Sequence, residues 1–359
     1  MTMYLGIDLH KKSSVWVMMD EKRNVVWNTS VASHPFDISA GIVKIPVPLT
    51  DVKVAIEPVC GWRWVTKQME EVGLEVHVAH PMKVRMIAES KQKTDFNDAR
   101  TLADLLRAGM LPESHRVSDD IYELRVVLRE RHFLVTERTA VKNRLHGIAT
   151  TQGLHLVSGG NPLQKRGKRW IEEGSNETMK ELLEVISELD THIDLLAKKI
   201  SGLTKEISEA KLLMTMPGIG PITALTVVAE VGDFSRFSNP KKLASFAGIV
   251  PKQRSSGEKV RLGSITHLGS KYLRTTMVEA AMRIRADYSP ELFRFVSDLT
   301  PGCGAKKARV ALARKMLTIM WTMIRNKTPY DPATIEEARL SRLSSAIRKE
   351  SYLDATPGA

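Results

Sequence analysis

Four carboxylates within the first 100 residues have the types and spacing of a metal site. Asp8 and Glu57 each end a short apolar run that reads as a buried strand. Asp95 and Asp98 are three residues apart in a segment that reads as a helix start, so they share one helix face. Carboxylates that converge repel one another unless a hard cation lies between them, and their oxygens suit Mg²⁺. The set predicts a Mg²⁺ centre, with Mn²⁺ as a substitute, for phosphoryl transfer on nucleic acid.

The alternative is that these residues are ordinary. Aspartates near a helix start are common N-caps, and any one of the four carboxylates taken alone is more typical of a structural or solvated residue. The order along the chain favours the metal site, because a strand-end Asp, a strand-end Glu and a later D-x-x-D segment can meet at one point.

Composition points to a polyanionic partner. The chain has 359 residues, enough for two or three domains, and a net charge of +12. Its two cysteines, Cys60 and Cys303, form no zinc pattern, and so few indicate a reducing compartment. No signal peptide is evident, and no apolar run approaches the about 20 residues of a membrane span. We therefore expect a soluble cytoplasmic protein that is associated with the nucleoid and not with membrane.

The fold class predicted is α/β plus α, in three domains. Residues 1–112 read as a β-hairpin start followed by alternating strands and helices, the order of a ribonuclease-H-like or Holliday-junction-resolvase-like sheet. Such a sheet places its first metal ligand on the first strand, where Asp8 lies.

Residues 113–210 read as a helical coiled-coil region. A seam of alternating leucine and isoleucine runs through its second half, at Leu182, Ile186, Leu189, Ile193, Leu196, Ile200, Leu203 and Ile207. This alternation favours a parallel two-stranded coil, and hence a dimer. The alternative left open is an antiparallel hairpin with the helix predicted over 121–148 of the same chain.

Residues 211–350 read as a mainly helical domain that binds nucleic acid. The segment 216–221 before an apolar helix resembles a helix-hairpin-helix entry, whose glycines let the backbone approach a phosphate, although an ordinary turn has the same pattern. Basic residues are concentrated in 252–274 and 301–327, which predicts a track for the phosphate backbone. The candidate contacts are Lys252, Arg254, Lys259, Arg261, Lys271, Arg274, Lys306, Lys307 and Arg309.

Six short motifs, taken in order, are specific although each alone is not. They are Tyr4-Leu5-Gly6-Ile7-Asp8, Ala55-Ile56-Glu57-Pro58, Lys93-Thr94-Asp95-Phe96-Asn97-Asp98-Ala99-Arg100, Pro217-Gly218-Ile219-Gly220, Phe246-Ala247-Gly248-Ile249-Val250-Pro251 and Ser255-Ser256-Gly257. With this order, nearly the whole chain resembles the DEDD transposases of bacterial insertion sequences, the family that includes the pilin-gene invertases.

The resemblance implies a transposase or site-specific recombinase with a serine nucleophile. It implies that Asp8, Glu57, Asp95 and Asp98 bind Mg²⁺, and that a serine before a glycine attacks DNA, leaving a phosphoserine link and a free 3′-hydroxyl. That serine is Ser256 here, with the adjacent Ser255 as the alternative. The implied partners are double-stranded donor and target DNA, a structured non-coding RNA that pairs with both, and further copies of the chain in a dimer or tetramer. The active site would be shared between subunits.

Three other functions stay open from the residues. A metal-dependent nuclease or junction resolvase would use water as the nucleophile, and Ser256 would be structural. A non-enzymatic scaffold would bind nucleic acid without Mg²⁺. An actin-like sugar kinase is weaker, because no phosphate-binding loop follows the first strand and the charge does not suit a small substrate.

Overall fold

The chain forms two compact units in the computed structural model, over residues 1–116 and 117–359. The structure describes residues 1–87, 94–153, 161–174, 176–256 and 259–333, apart from the side chains of 253–256 and 259–262. Lys93 and the end of the predicted third domain, 334–350, lie outside the described residues. No helix in the described part of the chain is both long and apolar enough to cross a membrane.

The first unit contains a mixed five-stranded sheet in the order β3-β2-β1-β4-β5. The strands are β1 (Met3–Leu9), β2 (Ser13–Met19), β3 (Val25–Ala32), β4 (Val52–Ile56) and β5 (Glu75–Val78). The first three strands are antiparallel neighbours, whereas β4 runs parallel to both β1 and β5. The predicted mixed α/β start is therefore confirmed. The helices of this unit are α1 (Pro35–Val43), α2 (Trp62–Glu71), α3 (Pro81–Ile87) and α4 (Asp95–Arg107).

Strand β1 separates two faces of the sheet by its alternation. Leu5, Ile7 and Leu9 are buried in an apolar cluster that also contains residues of α1 and α2. Successive side chains of a strand point to opposite faces. Gly6 and Asp8 therefore face the other side, which is covered by α4.

Gly6 allows α4 to lie directly on β1. A Cβ atom at this position would be 1.9 Å from the carbonyl oxygen of Ala99 and 2.7 Å from the backbone nitrogen of Ala103. Both alanines are fully buried and lie one helical turn apart on α4. Small residues on both elements thus fix the position of the helix that carries Asp95 and Asp98.

The second unit is mainly helical, as predicted. Its helices are α5 (Asp119–Thr151), α6 (Lys165–Glu173), α7 (Glu177–Glu206), α8 (Ser208–Leu213), α9 (Pro221–Val231), α10 (Pro240–Phe246), α11 (Lys271–Arg283), α12 (Pro290–Cys303) and α13 (Ala305–Asn326). Most of α9 is buried in an apolar cluster with residues of α11 and α13. The sequence predicts a loop between the two long helices over 153–168, because glycines and a proline cluster there. In the structure α6 begins at Lys165, within that segment, and 154–160 lie outside the described residues.

The seam of α7 is buried within its own chain. Leu128 of α5 shares an apolar cluster with Ile200 of α7, and Leu145 shares another with Ile186. Arg138 of α5 and Asp190 of α7 form an ion pair between these two clusters. The early part of α5 therefore lies beside the late part of α7, which is the antiparallel hairpin. Self-association of the chain stays a prediction.

The polar stretch after residue 250 forms a two-stranded antiparallel hairpin of β6 (Pro251–Ser256) and β7 (Lys259–Ile265). From the sequence alone this is a polar stretch with a Ser-Ser-Gly loop. The only alternation in it, Val260 and Leu262 between Lys259 and Arg261, is too short to identify a strand by itself.

Candidate functional site

Parallel pairing brings the two strand-end carboxylates to one edge of the sheet. The register pairs Ile7 of β1 with Ile56 of β4, so Asp8 and Glu57 are the next residues along the two strands. Helix α4 begins at Asp95, where the Thr94 hydroxyl oxygen accepts a hydrogen bond of 3.2 Å from the Asn97 N–H. Thr94 is therefore the N-cap, and Asp95 and Asp98 are not required for capping.

Asp8, His10 and Asp95 form a compact cluster. One ligand atom of each lies within 4.8 Å of the others. The His10 Nε2 atom is 3.1 Å from Asp8 Oδ2 and 3.3 Å from Asp95 Oδ1. Two carboxylates and an imidazole at such separations are a suitable donor set for a divalent cation.

Electrostatics place the other two predicted carboxylates near this cluster. Burial raises the pKa of the Asp8 carboxyl, which is only 6% exposed, and His10 opposes that rise. The negative charges of Asp95, Asp98 and Glu57 raise the same pKa further. All four predicted carboxylates therefore interact at Asp8, although Glu57 and Asp98 are not members of the compact three-residue cluster.

The buried oxygen of Asp8 lacks a hydrogen bond. Among the described residues, Oδ2 has no partner of acceptable geometry, even though His10 lies within ion-pair distance. A buried acceptor without a donor costs free energy, and a cation at this point would satisfy it. The residues present therefore fit a divalent cation.

His10 is a member of the cluster that the sequence motifs do not identify. Its signal is its spacing, because it lies two residues after Asp8 and alternate residues of an extended chain share a face. A single histidine after a strand is too common a feature for this spacing to identify it without the structure.

The predicted serine lies at the end of β6. The register pairs Ser256 with Lys259, Ser255 with Val260 and Arg254 with Arg261. Directly paired and alternate residues of an antiparallel hairpin occupy one face. Ser256 is thus a position on the same face as the three basic residues, and Ser255 is a position on the other. Gly257 lies outside the described residues.

Most of the predicted nucleic-acid contacts with described side chains lie at the surface. Lys252, Lys306 and Lys307 are exposed. Lys271 is also exposed, with its Nζ 5.0 Å from the centre of the Tyr272 ring. These side chains are accessible to a phosphate backbone.

Two predicted arginine contacts also have internal partners. Arg274 donates to the Ala247 carbonyl at 3.3 Å. Arg309 donates from Nη1 to the carbonyls of Ala281 and Ile284, at 2.8 and 2.9 Å, and so caps the end of α11. These bonds give Arg309 a structural role whether or not it contacts nucleic acid.

Comparison with known proteins agrees with this organisation. Residues 5–151 match a family model described as a transposase, that of the DEDD type of the IS110 group, and residues 210–296 match the model of the transposase IS116/IS110/IS902 family. The first match contains all four carboxylates, and the second contains the β6–β7 hairpin.

Several relatives are similar over most of the chain. The transposase for insertion sequence element IS1111A of Coxiella burnetii is 26% identical, covering 91% of this chain and 90% of the relative. A probable family 20 transposase of Pseudomonas aeruginosa is 28% identical, covering 78% and 86%. The pilin gene-inverting protein of Moraxella bovis is 27% identical, covering 72% and 74%. Together with the two family models, these relatives show that the chain belongs to the IS110 family of insertion-sequence transposases.

Proposed function

We propose that this transposase cuts and rejoins DNA through a phosphoserine intermediate, with Mg²⁺ held by Asp8, Glu57, Asp95 and Asp98 in a ribonuclease-H-like first unit. The observation that carries the proposal is the meeting of Asp8 and Asp95 around a buried, unsatisfied carboxylate oxygen. Mn²⁺ is expected to substitute for Mg²⁺, because both are hard cations that take oxygen ligands. The cation would stabilise negative charge on the scissile phosphate and on the leaving oxygen.

The residues of the chain have separate tasks in this reaction. The Ser256 oxygen forms a bond to phosphorus and its hydroxyl proton passes to solvent. The bond between phosphorus and the 3′-oxygen breaks, and that oxygen takes a proton from solvent to leave a free 3′-hydroxyl. Attack by the 3′-hydroxyl of another strand then reverses the step and releases the serine. The phosphodiester bond energy is conserved, so no nucleotide cofactor is consumed.

The hairpin register supports Ser256 over Ser255 as the nucleophile. Arg254, Lys259 and Arg261 are positions on the face of Ser256. Guanidinium and ammonium groups on that face would attract a scissile phosphate and stabilise its transition-state charge. Ser255 is a position on the opposite face.

Helix α13 supports a nucleic-acid partner. Lys306 and Lys307 lie in its first turn, which has no side-chain cap and no acidic residue. Cations near a helix N-terminus are unfavourable by a few tenths of a kcal/mol, and a bound phosphate would reverse that effect. The partners proposed are double-stranded donor and target DNA, together with a structured non-coding RNA of the element. We also propose that the active protein is a dimer or tetramer.

The test is a search for a covalent protein–DNA adduct. Purified protein is incubated with the end of its element, Mg²⁺ and the RNA encoded beside its gene, and any adduct is mapped by mass spectrometry. An adduct on Ser256 that is lost in Ser256→Ala and retained in Ser255→Ala is the expected result. Cleavage without any adduct would instead indicate a water-using nuclease, and activity without RNA would remove the guide from the proposal.

The metal site has its own test, which is independent of activity. Mg²⁺ or Mn²⁺ should raise the melting temperature of the wild-type protein, because a ligand that binds only the folded state stabilises it. Asp8→Asn should abolish this rise and cleavage, while DNA and RNA binding are retained. The metal assignment fails if Asp8→Asn cleaves DNA in Mg²⁺, or if it shows the wild-type temperature shift.

A further inference from the structure

A groove in the second unit lies outside the basic segments 252–274 and 301–327, beside the helix that follows the predicted helix-hairpin-helix entry 216–221. It is formed by α5, the start of α9 and α11, and its volume is about 530 Å³. Its walls include Arg131 and His132 from α5, Thr223 from α9, and Arg283 and Glu279 from α11. This volume is in the range of natural ligand sites.

The groove has an excess of positive charge. Arg131 and Arg283 face it against the single carboxylate of Glu279, and His132 adds an imidazole. Helix α9 begins at Pro221 without a side-chain cap, and the first turn of that helix reaches the groove through Thr223. The positive end of its dipole therefore adds to the two arginines.

Arg131 is a half-buried cation with a hydrogen-bond donor that the described residues leave unsatisfied. Its Nε atom is buried, and in the part of the chain that the structure describes it has no hydrogen-bond partner. Burial lowers the pKa of Arg131 and the nearby charge of Arg138 lowers it further, whereas the carboxylates of Asp194 and Glu279 oppose this shift and Arg283 adds to it. These neighbouring charges leave the buried Nε donor without a hydrogen bond to any described residue, and a bound anion would satisfy it. The arrangement therefore suits a site that is completed by a negatively charged ligand.

We propose that the groove between α5, α9 and α11 binds the phosphodiester backbone of nucleic acid, with Arg131 and Arg283 as its phosphate ligands. The hydroxyls of Thr223, Thr275 and Thr276 line the same walls and can donate to phosphate oxygens. Guanidinium groups match phosphate oxygens by paired N–H donors, which favours a phosphate over a simple halide. This inference rests on the proposed function, and it assigns a second contact region, separate from the basic segments at 252–274 and 301–327.

A polymeric backbone fits better than a small phosphate ester. The groove is open and is walled largely by hydroxyls and aliphatic groups of one long helix, with only the His132 imidazole as an aromatic ring among the described lining residues. His132 already packs edge-on against the Tyr272 ring, with ring centres 5.2 Å apart. These described walls therefore offer no aromatic slot for a purine or pyrimidine, so the phosphate is the group that this site can recognise.

The test compares variants by fluorescence anisotropy with two labelled probes, a random-sequence DNA duplex and a random-sequence single-stranded RNA. Arg131→Gln and Arg283→Gln should each weaken binding by about tenfold at low salt and reduce the slope of log affinity against log salt by about one. Arg144→Gln is the matched control, because Arg144 is an exposed residue of α5 outside the groove. Glu279→Gln should strengthen binding, since it removes the opposing charge.

The melting temperature separates a binding role from a structural one. Arg131→Gln should melt at or above the wild-type temperature, because it removes an unsatisfied buried donor. Loss of affinity for only one probe would identify that nucleic acid as the occupant. The proposal is overturned if both groove variants bind as wild type does, or if they weaken binding no more than Arg144→Gln. If the wild-type protein binds neither probe, the proposed function itself fails. If the wild-type protein binds both probes and the groove substitutions do not weaken binding, the proposed function stands without this site.

Discussion

Gly6→Ala should disable the metal centre although it replaces none of the proposed ligands. The new Cβ atom would be 1.9 Å from the carbonyl oxygen of Ala99, whereas non-bonded carbon and oxygen atoms rarely approach closer than about 3.3 Å. Strand β1 is paired on both sides and is not free to yield. Helix α4 must therefore retreat by more than about 1 Å, and it carries Asp95 and Asp98 with it.

The expected losses follow from that displacement. Overpacking of this kind costs about 1–3 kcal/mol of unfolding free energy. A misplacement of about 1 Å in a catalytic group can reduce the rate about 100-fold. Cleavage of element-end DNA should therefore fall by about that factor, and the stabilisation by Mn²⁺ should be reduced, at temperatures where the Gly6→Ala protein is still folded.

The assay combines urea unfolding, a Mn²⁺ titration by calorimetry and DNA cleavage. Gly202→Ala is the control, since a Cβ atom at this helical glycine would have no described heavy atom of another segment within 4 Å, and the change should add up to about 1 kcal/mol of stability. Wild-type stability and Mn²⁺ affinity in Gly6→Ala would refute the close approach of α4 to β1. Reduced stability with unchanged Mn²⁺ affinity would show that the helix position does not control the site.

Four further substitutions test the packing and the charges of the second unit. Glu230→Ala should cost about 3 kcal/mol in urea unfolding, because it removes a buried carboxylate, 3% exposed, from a half-buried arginine partner; a loss below about 1 kcal/mol would contradict this. Burial alone would raise the pKa of Glu291, but hydrogen bonding, including the 2.6 Å bond donated by Tyr330, outweighs it and lowers that pKa below its ordinary 4.5. The hydrogen bond from Tyr330 therefore stabilises the folded state above pH 4.5, and this stabilisation is lost as the pH falls through the lowered pKa of Glu291. Tyr330→Phe should lower the free energy of unfolding by about 1 kcal/mol at neutral pH, and the difference in melting temperature between this variant and the wild type should narrow in acid. Ile193→Ala should cost about 3 kcal/mol and Leu195→Ala less than about 0.5, because the first is 3% exposed and the second 56%; equal losses would reject the described packing of α7.

The strand-end carboxylates are predictable because local patterns encode them. Strands β1 and β4 are short apolar runs, and each has its acid at the end, so Asp8 and Glu57 can be assigned to one sheet edge from the sequence alone. The D-x-x-D spacing likewise assigns Asp95 and Asp98 to the start of a helix. The convergence of these elements depends on parallel pairing and on Gly6, and the sequence supports it only through the order of the elements.

Features that depend on packing between distant segments were not predictable. His10 acquires significance from its distance to Asp95, which is 85 positions later in the chain. The groove at Arg131 requires α5 and α11 to be neighbours, and no periodic pattern encodes that pairing. The β6–β7 hairpin was missed for a different reason, because the alternation of Val260 and Leu262 within a polar stretch is too short to identify a strand by itself.

The heptad seam is predictable as a packing surface, but its partner is not. Periodicity identifies which side of a helix is buried, and it carries no information about whether the partner belongs to the same chain. In the structure, Ile186, Ile193 and Ile200 are buried against α5, and the intervening Leu189 and Leu196 are half-buried.

This use of the seam changes the geometry of any assembly through α5 and α7. The apolar seam that would pair two α7 helices is already buried against α5 within each subunit. A two-stranded coil of two α7 helices would therefore require the α5–α7 hairpin to open first. Two copies that meet here would instead present finished hairpins to each other and form a bundle of four helices, with contacts through outward-facing side chains such as Phe133 and Leu195, which are 54% and 56% exposed. Engineered disulfides between the isoleucine positions of α7 should therefore not cross-link subunits, whereas pairs on the outer faces of the hairpin are the positions to use for measuring stoichiometry.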